Sequence, residues 1–67
     1  MRARQVRASD VRVGDWIRTP YHPAMWQMVT ECEVVADAFR PVRLDTDLDR
    51  TWWTMDERVS CKALARG

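Results

Sequence analysis

The residues of this chain best suited to chemistry are few and widely spaced. His22 lies in the run Pro20-Tyr21-His22-Pro23, and Cys32 and Cys61 are the two cysteines. A tetrahedral zinc site takes four such ligands, usually with a closely spaced cysteine pair among them. There is no Cys-x-x-Cys, and the fourth ligand would have to be a carboxylate. No metal site is expected. Asp45-x-Asp47-x-Asp49, with Asp56 at the twelfth place, has the spacing of a calcium-binding loop. Such a loop needs glycine at its sixth place for a sharp turn. Here Arg50 stands there, and apolar Trp52 and Trp53 fall inside the loop. An acidic hairpin turn is the better reading. No serine or cysteine has a visible base partner, and the paired carboxylates fall in turns, where solvation gives their pKa values no reason to separate. The expectation is therefore a protein without catalytic residues and without a cofactor.

Aromatic rings beside arginine offer a different chemistry, that of binding. Neighbouring side chains on a strand point to opposite faces, so Trp52 and Trp53 cannot both turn inward. One of them must be at least partly exposed. Tyr21 and Phe39 fall in expected loops. An exposed ring near a guanidinium can anchor a protein partner, where Trp, Tyr and Arg dominate binding energy. It can also stack on a base, with arginine adding cation–π attraction. Trp16 and Trp26 sit where a small core needs bulk, and at least one is expected to be buried. The candidate protein-binding residues are Arg18, Tyr21, Trp52 and Trp53, with Trp26 in reserve. The candidates for nucleic acid are Arg2, Arg4, Arg7 and Arg12.

Size and charge narrow the choice. Sixty-seven residues make one domain near the lower limit for folding without staples. An apolar share of 46% with four tryptophans argues against disorder. Eleven basic residues oppose ten acidic ones, for a net charge of +1. That lacks the excess of a strongly electrostatic duplex binder. Arginines concentrate in the first eighteen residues and acids between Asp45 and Glu57, so a basic end and an acidic edge are expected. Arginine is used almost to the exclusion of lysine, and asparagine is absent, a bias that fits the high-GC genome of an actinobacterium or its phage. Two cysteines are too few for a secreted disulfide scaffold. No apolar run follows Met1 or approaches the length of a membrane span, so a cytoplasmic protein with no membrane partner is expected.

The elements that would hold these residues read as strands. Residues 1–8 form a basic arm, loose or paired as an edge strand, and residues 9–65 form one small barrel domain. Ser9 is placed to cap a single turn that drops Val11 into the core. Val11 and Val13 are read as apolar anchors, and Gly14-Asp15 as a turn. Trp16 to Thr19 is the first full strand, and the two prolines then favour a loop. Trp26 to Ala36 is the longest strand, and the slip in its alternation predicts a bulge near Met28-Val29. Val42 to Thr46, Thr51 to Met55 and Val59 to Ala63 follow with turns between them. Five short antiparallel strands of this spacing predict an all-β fold closed into a small barrel, with a short capped turn near the N-terminus.

The run Val11-Arg12-Val13-Gly14-Asp15-Trp16-Ile17, followed by Trp26-Gln27-Met28-Val29, resembles the SH3-like small barrels, including KOW- and Tudor-type modules. In those, a Val-x-x-Gly-Asp-x-Ile stretch opens a strand and a Trp-x-x-Val stretch lies in the next. The resemblance implies a five-stranded barrel that binds RNA, DNA, ribosomal partners or peptide segments and seldom catalyses. Loops that are basic in KOW modules are partly acidic here. Near-neutral charge and an exposed ring therefore favour docking onto a protein in a regulatory or host-interaction role, or onto a second copy of the chain. Nucleic-acid binding through the N-terminal arginines and one aromatic is the alternative.

Overall fold

The structure, a computed structural model, describes residues 3–62. It is all-β, apart from one 3-10 turn at Ala8–Asp10. Six strands form one antiparallel sheet: β1 (Arg4–Arg7), β2 (Trp16–Thr19), β3 (His22–Val34), β4 (Val42–Thr46), β5 (Arg50–Trp53) and β6 (Arg58–Lys62). Their order across the sheet is β1-β6-β2-β3-β4-β5. The sheet is not closed into a barrel by hydrogen bonds, because β1 and β5 remain its two edges. The expectation of five strands in a closed ring is corrected in this respect. Arg4 to Arg7 pair with Cys61 to Arg58 and so place a further strand beyond β6.

The turn at Gly14-Asp15 organises one end of the sheet. Gly14 takes φ 94°, a region open to it because it has no Cβ. The Asp15 carboxylate accepts the Arg12 N–H at 2.9 Å, and the Asp15 N–H donates to the Arg12 carbonyl at 3.0 Å. Both faces of the turn then bond to Val29: Gly14 N–H donates to its carbonyl, and its own N–H donates to Asp15. One residue further, between Val29 and Glu31, the β3–β4 register shifts. That is the expected bulge, and there β3 changes partner. Residues before it pair with β2, as in Trp16↔Met28, and residues from Val29 onward pair with β4.

The bend lets both halves of the sheet cover one core. Val11, Ile17, Val29, Val42, Leu44, Trp53 and Val59 are buried together, drawn from both sides of the bulge. Val11 reaches this core as expected. Val13 does not: it lies on the turn and is 57% exposed. Nor does Ser9 cap the turn before it, since no side chain bonds the end of the Ala8–Asp10 segment. The segment is tied down instead by the Ala8 N–H donating to the Glu57 carbonyl at 2.8 Å.

Boundaries differ where turns are tighter than expected. Pro20-Tyr21 is the whole connection between Thr19 and His22, and Pro23 lies inside β3. A register shift between Ile17 and Thr19 leaves that part of β3 outside the regular ladder, where a missing N–H does little harm. Thr54 exchanges bonds with Glu57, so β5 ends at Trp53 and Met55 sits in a turn. Ala63, expected as the end of the last strand, and Met1 and Arg2 of the arm lie outside the described residues.

Ile17 and Leu44 are fully buried at the centre of the sheet. Truncating either to alanine should cost about 2–5 kcal/mol. A core of this size supplies roughly 3–5 kcal/mol in all, so each variant should lose most of its folded population. Val13→Ala should stay within about 0.5 kcal/mol of the parent. Urea unfolding followed by circular dichroism measures all three.

Candidate functional site

Strand alternation decides the fate of the paired tryptophans. On β5, Thr51 and Trp53 face the core and Trp52 faces out. The buried Trp53 indole donates to Thr51 Oγ1 at 2.6 Å, and that hydroxyl donates to the Leu44 carbonyl at 3.1 Å. The ring is therefore buried without leaving its N–H unpaired. Trp52 remains 42% exposed and Tyr21, on the β2–β3 turn, 71%. Between them is an open groove of about 300 Å³, bounded also by Pro20, Arg40 and Glu57. Arg40 Nη1 donates to Glu57 Oε1 at 3.0 Å and approaches the Trp52 carbonyl at 3.4 Å. Glu57 also accepts the Thr54 N–H. The polar wall of the groove is thus held in place and is charge-balanced.

A second constellation lies on the other half of the sheet. Arg18 Cζ is 4.3 Å from the Trp26 ring centroid, and Lys62 Nζ is 4.5 Å from it. Trp16 and Trp26 are both half-buried, because Ile17 and Gln27 occupy the inward positions beside them. The expectation that one of the two fills the core is corrected. The buried indole is Trp53.

The half of the sheet beyond the bulge is acidic on its outer face. Arg43 pairs with Glu31 at 2.7 Å, Glu33 at 2.8 Å and Asp45 at 3.3 Å, and Arg50 pairs with Asp45 at 3.2 Å. A basic region and an acidic edge both exist, though folding brings Lys62 and Arg58 to the first and Glu31 and Glu33 to the second. Asp45, Asp47 and Asp49 do not converge. Asp45 is held by the arginines, Asp47 is exposed, and Asp49 turns the other way. Among the described residues, no three His, Cys, Asp or Glu side chains gather as metal ligands. Cys61 is buried and Cys32 half-buried, and no disulfide joins them.

Asp49 joins two hairpins. Its Oδ2 accepts from Thr19 Oγ1 at 3.0 Å, Gln27 Nε2 at 3.0 Å and His22, whose Nδ1 lies 2.9 Å away. The hydrogen bond from His22 is the largest influence lowering the Asp49 pKa; burial opposes it, and the bonds from Gln27 and Thr19 add to the lowering. Gln27, buried against the core, accepts in turn from Thr46 Oγ1. The hydroxyl of Thr46 also receives the N–H groups of Leu48 and Asp49. His22, which has no partner visible in the sequence, thus gains one from the β4–β5 turn.

Of the residues singled out for protein binding, Tyr21, Trp52 and Trp53 meet at the groove, whereas Arg18 lies apart with Trp26. Of the arginines singled out for nucleic acid, Arg4 and Arg7 lie on β1, and Arg12 lies between the 3-10 turn and β2. Arg4 lines a hollow beside Trp26, and Arg7 approaches Asp56 at 3.9 Å. The guanidinium of Arg12 is engaged with the Ser9 and Val11 carbonyls, and Arg2 is outside the described residues. Phe39 is 91% exposed on the β3–β4 connection, away from the groove lining. Arg40, Glu57 and Lys62 carry no sequence signal of their own, because contacts across distant strands bring them to these sites. No family model matches the chain, and neither a curated protein nor a solved structure matches it.

Because the folded-state pKa of Asp49 is lowered, its contribution to stability is complete above the unfolded carboxylate value, about 3.9, and is lost as pH falls through the folded value. The urea midpoint should therefore drop on acidification below about pH 4, as the unfolded carboxylate takes up its proton first. Asp49→Asn should show a lower midpoint at neutral pH and a shallower drop, measured by chemical denaturation across the acid range.

Proposed function

We propose that this chain is a small non-catalytic binding module that docks onto an extended, largely uncharged segment of a protein partner, with regulation or interaction with a host protein as its role. The observation that carries the reading is the groove between Tyr21 and Trp52, with Pro20 at its edge and Trp53 beneath. Two exposed rings give large contact area at small cost in side-chain entropy, which is why such residues dominate protein interfaces. Aromatic grooves of this kind suit extended or polyproline segments, whose backbone needs little ordering on binding. The Arg40–Glu57 pair leaves the groove without net charge, so an occupant of few charges fits it best. The groove also lies along β5, an edge of the sheet, where main-chain bonding to a partner strand is geometrically open.

The finer description of the fold belongs to the same proposal. The sheet order from β6 through β5, the bent β3 and the single shared core are consistent with an SH3-like small barrel of KOW or Tudor type to which β1 has been added. Gly14-Asp15 opening β2 and Trp26 to Val29 within β3 match the two stretches that carry the resemblance.

Selection from a library of displayed peptides tests the reading. Apolar, proline-containing segments should be enriched, and their binding should change little as salt rises. Trp52→Ala or Tyr21→Ala should cost about 2 kcal/mol, roughly thirty-fold in Kd, as truncation of a central aromatic does. Selected peptides indifferent to both substitutions, or no selective peptide at all, would overturn it.

A further inference from the structure

The outward face of β1, β6, β2 and the first half of β3 carries cations in a pattern the groove does not use. Register sets Arg7 beside Arg58, Gln5 beside Ser60, and Trp16 between Lys62 and Met28. These positions alternate with Val6, Val59, Cys61, Ile17 and Val29, which face the core or pack against it. Arg7, Arg58, Lys62 and Arg18 therefore share one face. Asp56 approaches Arg7 at 3.9 Å from an exposed turn, while Glu31, Glu33 and Asp45 are engaged with Arg43 on the other half of the sheet.

The pair over Trp26 is the most telling part. Arg18 and Lys62 lie 4.3 and 4.5 Å from one ring centroid, and among the described residues neither is paired with a carboxylate. The ring attracts each cation, but two like charges around one indole repel each other. A bound anion would relieve it. Arg18 is already held against the ring, so its planar fork loses little freedom on engaging a phosphate bidentately. Beside it lies a hollow of about 210 Å³ lined by Arg4, Gln5, Trp26 and Ser60, with Gln5 Nε2 donating to Ser60 Oγ at 2.7 Å.

We propose that this face binds a single strand of nucleic acid, with Arg18 and Lys62 gripping phosphates over Trp26. The cations are spread across strands spaced about 4.8 Å apart, which suits a backbone of repeated phosphates better than one isolated anion. The half-buried Trp16 lies next to Lys62, and the exposed Met28 lies beyond it on β3, as apolar surface for bases. This site is separate from the aromatic groove and stands or falls without it.

Fluorescence anisotropy of a labelled oligothymidylate, titrated with the full chain at several salt concentrations, tests the proposal. Binding should weaken with a log–log slope of about −0.7 for each phosphate contacted. Replacing Arg18→Gln and Lys62→Gln together should lower affinity at least about tenfold and flatten the slope by about 1.4. Trp52→Ala should change neither. Circular dichroism checks that the variants fold. If the double variant does not, Lys62→Gln alone should flatten the slope by about 0.7. Absence of binding at low salt, an unchanged slope in a folded variant, or equal loss in Trp52→Ala would overturn the proposal.

Discussion

The structure depends on one constraint: β3 has to serve as a strand for both halves of the sheet. It can do so because it bulges after Val29 and changes partner there from β2 to β4. Val29 is the point of attachment. Its N–H and carbonyl are both taken by the Gly14-Asp15 turn, and its side chain is wholly buried. In a chain of this size no second layer is available to cover a flat sheet, so the sheet must bend over its own side chains. The bulge supplies that bend.

Two surfaces follow from the bend, and they differ in chemistry. One half of the sheet turns out Arg18 and Lys62 over Trp26, with Arg7 and Arg58 paired further along the same face. The other turns out a carboxylate cluster neutralised in part by Arg43 and Arg50. The aromatic groove lies at neither charged centre but at the β5 edge, where Tyr21 and Trp52 meet. A net charge near zero is thus the sum of separated regions, and complementary docking depends on the regions rather than on the sum.

Much of this was legible in the residues themselves. Period-two alternation located five of the six strands, and the break in that alternation located the bulge to within a residue or two. Trp52-Trp53 forced one ring outward whatever the fold, since adjacent side chains on a strand must diverge. What the sequence left obscure is non-local. Val6 is the one apolar residue between Arg4 and Arg7, a signal that leaves a loose arm and an edge strand both open, and pairing with β6 decides for the strand. Lys62 reaches Trp26 across β2, and Arg40 reaches Glu57 across the groove, neither at a spacing that any local rule singles out. The Arg18–Trp26 contact is no exception. A two-residue turn at Pro20-Tyr21 alone would set Arg18 opposite Pro23, and the register shift between Ile17 and Thr19 is what brings it to Trp26.

The groove between Tyr21 and Trp52 is proposed as the protein-docking surface. Its most direct test is a two-dimensional NMR titration of the labelled chain with a peptide selected for binding, following the four tryptophan indole N–H signals. The Trp52 signal and the amides flanking Tyr21 should move together and saturate, while the Trp26 signal stays still. Movement centred on Trp26 and Arg18, with Trp52 unaffected, would contradict it.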